Sequence, residues 1–179
     1  ARFGPVFERY RGQPIAAVAA DPEARRIGER LFINYCATCH GSDARGYRGF
    51  PNLTDNAWLW GGSPEQIEQS ILVGRSGVMP AWEESLGPEG ISDVTDYIFS
   101  MSGRDVDQEA ASRGKQKYEM FCVACHGADG GGNQALGAPN LTDDIWLYGS
   151  SEEAVEYTIR NGRNGVMPAH AHLDEATID

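Results

Sequence analysis

The sequence predicts an all-α protein built as two tandem domains, and three observations carry the prediction. Apolar residues recur at helical spacing with almost no strand alternation, polar helix-start signals precede those stretches, and the whole pattern is written twice. Residues 51–82, PNLTDNAWLWGGSPEQIEQSILVGRSGVMPAW, align without a gap on residues 139–170, PNLTDDIWLYGSSEEAVEYTIRNGRNGVMPAH. Upstream, Gly28, Phe32, Tyr35 and Cys36 match Gly114, Tyr118, Phe121 and Cys122 at the same internal spacing. The second copy carries a short insertion between His126 and Pro139, beside Gly130-Gly131-Gly132, where a loop tolerates it. Two copies are too few to stack as a solenoid, so the repeat reads as two domains.

The elements follow in order. Residues 1–22 form an N-terminal arm, and Ala1 suggests an absent upstream part. Domain 1 is expected over 23–103, a polar linker over 104–112 and domain 2 over 113–179. Asp21-Pro22-Glu23 supplies an N-cap, a proline at the first helical position and an acid in the first turn, and the apolar stripe runs through Ile27, Leu31 and Phe32 to Cys36. Ser63-Pro64-Glu65-Gln66 reads as a capping box opening a helix through Ile67 and Ile71, and Ser151-Glu152-Glu153 repeats it before Val155 and Ile159. Ser92 is expected to begin a third helix with Val94, Tyr97, Ile98 and Met101 on one stripe. Its counterpart falls at or after residues 174–178, so a truncated or shortened terminal helix is expected in the second copy. Each half holds fewer than about 100 residues, a size at which a core is commonly reinforced by a covalent or metal insert.

Bulk properties narrow the function. A formal net charge of −11 argues against nucleic acid, which needs a basic face. No apolar run approaches the roughly 20 residues of a membrane span; the longest candidate is residues 15–20.

All four cysteines lie in two words, Tyr35-Cys36-Ala37-Thr38-Cys39-His40-Gly41 and Phe121-Cys122-Val123-Ala124-Cys125-His126-Gly127. A redox dithiol would sit near a β-α-β pattern and needs no following histidine. A zinc ribbon needs its cysteine pairs about 15 to 20 residues apart, whereas these pairs belong to separate copies. Covalent haem attachment fits: on a helix, cysteines three apart share a face with the next histidine, so two vinyl groups and the iron of one porphyrin are within reach. The cofactors expected are therefore two covalently bound haem c groups with iron on His40 and His126. A sixth ligand is offered by Gly77-Val78-Met79-Pro80-Ala81 and Gly165-Val166-Met167-Pro168-Ala169, methionines in glycine-bearing segments read as irregular rather than as core filler. Met101 and Met120 lie on expected helices, where packing accounts for them. With both axial positions filled, such iron carries electrons rather than binding oxygen or peroxide. His170 and His172, close after Met167, are alternative ligands to it. Around these, Pro51 and Pro139 can offer carbonyls to the histidines, and Arg75, Arg163, Trp58 and Trp146 are duplicated donors for propionates, with a solvated or C-capping role equally open to each arginine.

These residues resemble the class I cytochrome c family, which implies that each domain is a few helices wrapped around one covalent haem. It also implies that the last helix crosses the first through Gly28, Phe32 and Tyr97. The phrases DPEARRIGERLFINYCATCHGSDARGYRGFPNLTDNAWLWGG, GRSGVMPAW and GRNGVMPAH resemble, over nearly the whole chain, the dihaem CcoP/FixP subunits of cbb-type cytochrome c oxidases. That resemblance implies an electron-transfer subunit without catalysis of its own. Its partners would be a cytochrome donor, a second haem c subunit and the catalytic subunit, on the periplasmic side of a bacterial inner membrane, and the arm 1–22 would follow a missing membrane anchor. A free dihaem shuttle, a dihaem peroxidase or thiosulfate-oxidising protein and a gas sensor are the alternatives, the last two classes requiring an exchangeable iron position.

Overall fold

Short polar side chains start the helices by catching the first free backbone N–H groups. A computed structural model describes residues 4–173, with side chains from Phe7 onward. The arm contains α1 (Gly4–Tyr10) and α2 (Ile15–Ala20), of which Tyr10 and Val18 are buried. The carboxylate of Asp21 accepts from the N–H groups of Glu23 and Ala24 at 2.7 and 3.2 Å and opens α3 (Pro22–Tyr35). One further turn, α4 (Ala37–His40), carries the first motif. Ser63 and Gln66 form the reciprocal capping box of α5 (Pro64–Val73), at 3.1 and 3.3 Å.

After α5 comes β1 (Arg75–Met79), then α6 (Glu83–Met101), α7 (Gln108–Phe121), the single turn α8 (Val123–His126), α9 (Glu152–Asn161) and β2 (Arg163–Met167). Asp107 caps α7, which thus starts inside the stretch read as linker. Ser151 caps α9 through the N–H of Ala154 at 3.3 Å, but the second half of the box is missing because Ala154 has no side-chain acceptor.

Two features differ from the sequence reading of single elements. The segments holding Met79 and Met167, read as irregular, are strands β1 and β2 paired with each other. Neither has alternation strong enough to announce a strand; each becomes one by pairing with its repeat partner. The helix expected from Ser92 begins at Glu83 and is broken at Gly87, φ 63°, immediately before Pro88, so that its regular part runs from Pro88 onward.

The described chain divides into two compact units. The first comprises residues up to 56, residues 61–75 and residues from 166 on; the second comprises residues 57–60 and 76–165. In the second unit α6 packs along α7, and Ile91, Val94, Ile98, Phe99, Tyr118, Val155 and Ile159 form its core. Burying side chains of this size stabilises by roughly 1.5 to 3 kcal/mol each. A Cβ on Gly114 would collide with the carbonyl of Asp93, so only glycine lets the two helix backbones approach this closely. Tyr97 meets Tyr118 edge-on at 5.2 Å. Tyr97 therefore crosses the helix of the second copy, and the contact expected with Gly28 and Phe32 is replaced by one with Gly114 and Tyr118. In the first unit α3 buries none of its side chains, and a Cβ on Gly28 would meet nothing within 4 Å. Of the two helical methionines, Met101 packs against the core of the second unit, but Met120 is 68% exposed and no packing accounts for it. The counterpart helix expected at residues 174–178 lies outside the described residues.

Candidate functional site

Both Cys-x-x-Cys-His words sit at a helix end that turns sharply. Cys36 closes α3, leaves the helical line at φ −113°, ψ −33°, and starts the single turn that delivers Cys39 and His40; Cys122 does the same between α7 and α8. In each copy the first cysteine is half-buried, the second is exposed and the histidine is buried at 8% exposure. His40 Nδ1 lies 3.1 Å from the carbonyl oxygen of Pro51, and His126 Nδ1 lies 3.1 Å from that of Pro139. A carbonyl only accepts, so Nδ1 carries the proton and Nε2 is left with its lone pair for a metal.

Glycine makes this arrangement possible. Gly46 (φ 66°) donates its N–H to the carbonyl of His40 at 2.8 Å, and Gly132 (φ 83°) donates to that of His126 at 2.9 Å. A Cβ on Gly46 would stand 2.6 Å from the Pro51 carbonyl oxygen, and one on Gly132 would stand 2.6 Å from that of Ala138. The sequence reading missed both; each is a glycine six residues past the histidine of its motif, which is the available signal. It also missed Tyr118, wholly buried, whose hydroxyl donates to the carbonyl of Gly127 at 2.8 Å and ties the helix to the residue after His126.

Electrostatics separates the candidate chemistries. Burial, helped by the neighbouring Cys125, pushes the Cys122 thiol up to about 11, and burial with Cys39 pushes that of Cys36 upward. A redox dithiol needs the opposite, a stabilised thiolate. Burial lowers the pKa of His126 against the opposing effect of its Pro139 hydrogen bond, which keeps the imidazole neutral and able to ligate. Among the described residues no three His, Cys, Asp or Glu side chains converge as a bare-ion site.

The other sequence-chosen residues fall as follows. Met79 packs against the core of the second unit together with Cys122, Val123, Leu141 and Trp146. Met167 ends β2 in the first unit. Trp146 Nε1 is buried without a partner, an orphaned donor of the kind a porphyrin carboxylate satisfies. Trp58 belongs to the second unit, and its carbonyl accepts from Gln134 at 3.2 Å. Arg75 bonds Ser70 Oγ at 2.8 Å and the carbonyl of Gln66 at 3.2 Å, holding the end of α5. Arg163 bonds Thr158 Oγ1 through Nε and Nη2 at 3.0 and 2.7 Å and stacks over Tyr148 at 4.3 Å. Both arginines thus brace the helix before them. His170 Nδ1 lies 2.9 Å from the Pro168 carbonyl, and His172 lies 5.5 Å from the ring of Tyr35.

A cysteine pair at a helix end, then a buried histidine with its outer nitrogen on a loop carbonyl and a free Nε2, fits a covalently attached haem, and the orphaned indole donor of Trp146 fits its acidic edge. The fold and the doubled site define the class as tandem c-type cytochrome domains. The chain belongs to the family described as cytochrome c oxidase, cbb3-type, subunit III, whose model matches residues 23–98 and 109–179. It is 48% identical over 172 residues to the cbb3-type cytochrome c oxidase subunit CcoP of Rubrivivax gelatinosus, covering 96% of this chain and 56% of that protein. Over 196 residues it is 45% identical to subunit FixP of Bradyrhizobium sp. (strain ORS 278), covering 96% and 68%. With subunit CcoP of Rhodobacter capsulatus it shares 43% over 180 residues, covering 92% and 61%. The chain thus spans between about half and two thirds of the length of these relatives. Among the described residues no helix is long and apolar enough to cross a membrane.

Proposed function

We propose that the chain is an electron relay of a respiratory cbb-type cytochrome c oxidase. It holds two haem c groups and passes electrons from a cytochrome donor toward a second haem c subunit and the catalytic subunit. The observation that carries this reading is the doubled, buried histidine, each with Nδ1 held 3.1 Å from a proline carbonyl directly after a cysteine pair.

Cys36 and Cys39 would hold one porphyrin and Cys122 and Cys125 the other, and His40, His126, Met79 and Met167 are the side chains that would bind the irons. A bound haem supplies reversible one-electron chemistry. The protein's part would be to fix the imidazole tautomer through Pro51 and Pro139, to keep the histidines out of water, and to offer the iron a methionine thioether, which would favour the reduced ion. Trp146 donates to a propionate, and Trp58, Arg75 and Arg163 remain the further candidates for that role. No substrate is converted on this chain. Covalent haem attachment supports a periplasmic location, with the membrane reached through a segment outside this sequence.

The deciding experiment is a visible spectrum of the oxidised and reduced protein with an intact mass, followed by addition of carbon monoxide. Two haems per chain, sulfur-ligated low-spin spectra and no response to carbon monoxide are expected. Prompt carbon monoxide binding would move the reading to a sensor or peroxidase. A colourless protein with four alkylatable thiols would end it.

A further inference from the structure

We propose that His170 and His172 form a two-imidazole surface site for a borderline divalent cation such as Zn²⁺, Ni²⁺ or Cu²⁺. The site lies in the first unit, goes beyond the haem reading and does not depend on it.

Both rings stand on one tight turn in the segment after β2. The N–H of His170 donates to the carbonyl of Ile71 at 2.8 Å, which moors the segment to α5, and the N–H of Leu173 donates to the carbonyl of His170 at 2.8 Å, which closes the turn. The turn sets the two ring centres 5.7 Å apart with 42° between their planes. An imidazole nitrogen lies about 2.0 to 2.1 Å from zinc, so each ring centre stands about 3.2 Å from the ion and two rings on one ion are at most about 6.4 Å apart. The observed separation falls inside that limit. The carbonyl of Pro168, 2.9 Å from His170 Nδ1, accepts the proton of that nitrogen and leaves Nε2 with its lone pair. His172 is placed by the ring of Tyr35, 5.5 Å away. His170 is half-buried and His172 exposed, so water can complete the shell of an ion held by the pair.

Neither histidine belongs to the duplicated framework. The cysteines, histidines, methionines and prolines assigned to the haems recur in both copies, whereas His170 and His172 fall opposite Trp82 and Glu84 when the alignment is carried on at the same offset. A group that both haems required would recur; this pair occurs once. The chain has four histidines, and the two outside the haem motifs are these, separated by one alanine. Ion choice follows from the donors. Imidazole suits zinc, nickel and copper, while magnesium and calcium prefer oxygen. The formal charge of −11 draws cations of every kind toward the chain, but carboxylates lack this preference, so selectivity is what separates the pair from the acidic surface.

The test is a calorimetric titration of the full haem-loaded chain, carrying no affinity tag, with zinc chloride in a buffer that does not bind metal. A single Zn²⁺ per chain is expected, displaced by Ni²⁺ and not by excess Mg²⁺. H170A and H172A are each expected to weaken it by about tenfold or more. As a check that needs no variant, the ring Cε1 protons of His170 and His172 in the reduced chain are expected to shift together as Zn²⁺ is added. Affinity unchanged in both variants, or equal displacement by Mg²⁺, places the ion on surface carboxylates and overturns the proposal. Absence of both heat and ring shifts overturns it as well, and a changed haem spectrum in H172A would put that ring on iron instead. Free thiols also bind zinc, so a preparation that proves to lack haem is alkylated at its four cysteines before titration. Failure of the haem reading and failure of this site are thereby told apart.

Discussion

The backbone carbonyl of Asp93 occupies the place where a methyl group on Gly114 would have to stand. The same residue of α6 is also held by its carboxylate, which bonds Arg113 and Lys117 on the helix that carries Gly114. Backbone contact and charge pairing therefore meet in one turn, and the approach of α6 to α7 is fixed in both distance and register.

A matched pair of glycine substitutions reads that contact out. G114A must push the helices apart and is expected to destabilise by about 2 kcal/mol or more. G28A adds a methyl group where nothing lies within 4 Å, in a helix interior, and is expected to stabilise by about 0.5 kcal/mol. Urea unfolding midpoints of the two variants should move in opposite directions, and a comparable loss in G28A would contradict the packing.

The Asp93 side chain is 3% exposed. Burial raises its pKa, but the hydrogen bonds from Arg113 and Lys117 outweigh that and hold the carboxyl below its ordinary 3.8. A lowered folded-state value contributes stability that is present above the unfolded value and lost as pH falls through the folded one. D93N is expected to cost on the order of 2 kcal/mol at neutral pH and to flatten the acid limb of the stability profile. An unchanged acid limb in D93N would show that the carboxylate does not hold the crossing.

Thiol reactivity distinguishes the haem-free chain from the loaded one. Without haem, at pH 8, Cys39 and Cys125 are exposed and should alkylate first. Cys122, pushed up to about 11, should be slow and should speed up as pH rises toward that value. With haem attached, mass spectrometry after alkylation should find no modified cysteine.

Trp146 offers a buried indole N–H with no acceptor. In the loaded protein W146F is expected to remove about 1 kcal/mol of stabilisation from a propionate, leaving more negative charge near the iron and lowering the potential of the haem on His126. The same substitution in the haem-free chain should leave stability nearly unchanged or slightly higher, because an unsatisfied donor is lost. A potential that does not move would place the propionate elsewhere.

Much of this was legible in local chemistry. The caps at Asp21, Ser63 and Ser151 act within three residues, so the sequence alone locates α3, α5 and α9. The haem words are equally local, because two cysteines and a histidine on one helix end need no distant partner. The prolines Pro51 and Pro139 stand 11 and 13 residues past their histidines, still inside one loop, and position alone pointed to them. The break at Gly87 was not read from its neighbours, although Gly87-Pro88 carries the signal. Nothing local marks Asp93 as a partner of Arg113, 20 residues on, and nothing in two glycine-bearing segments announces that they pair as strands.

The sequence by itself determined that there are two equivalent units of construction, where their helices start, and which side chains can hold an iron porphyrin, since those properties depend on residues close together along the chain. Which α6 neighbour it crosses, and which methionine shares a unit with which histidine, were decided only by tertiary structure. The reason is physical: the repeats share the glycine and the aromatic positions of this helix, so by that pattern alone segment 76–101 could pack on either α3 or α7. The choice falls to contacts that the repeats do not share, Tyr118 in place of Phe32 and Lys117 in place of Leu31, which give Asp93 and Tyr97 partners on α7 that α3 lacks.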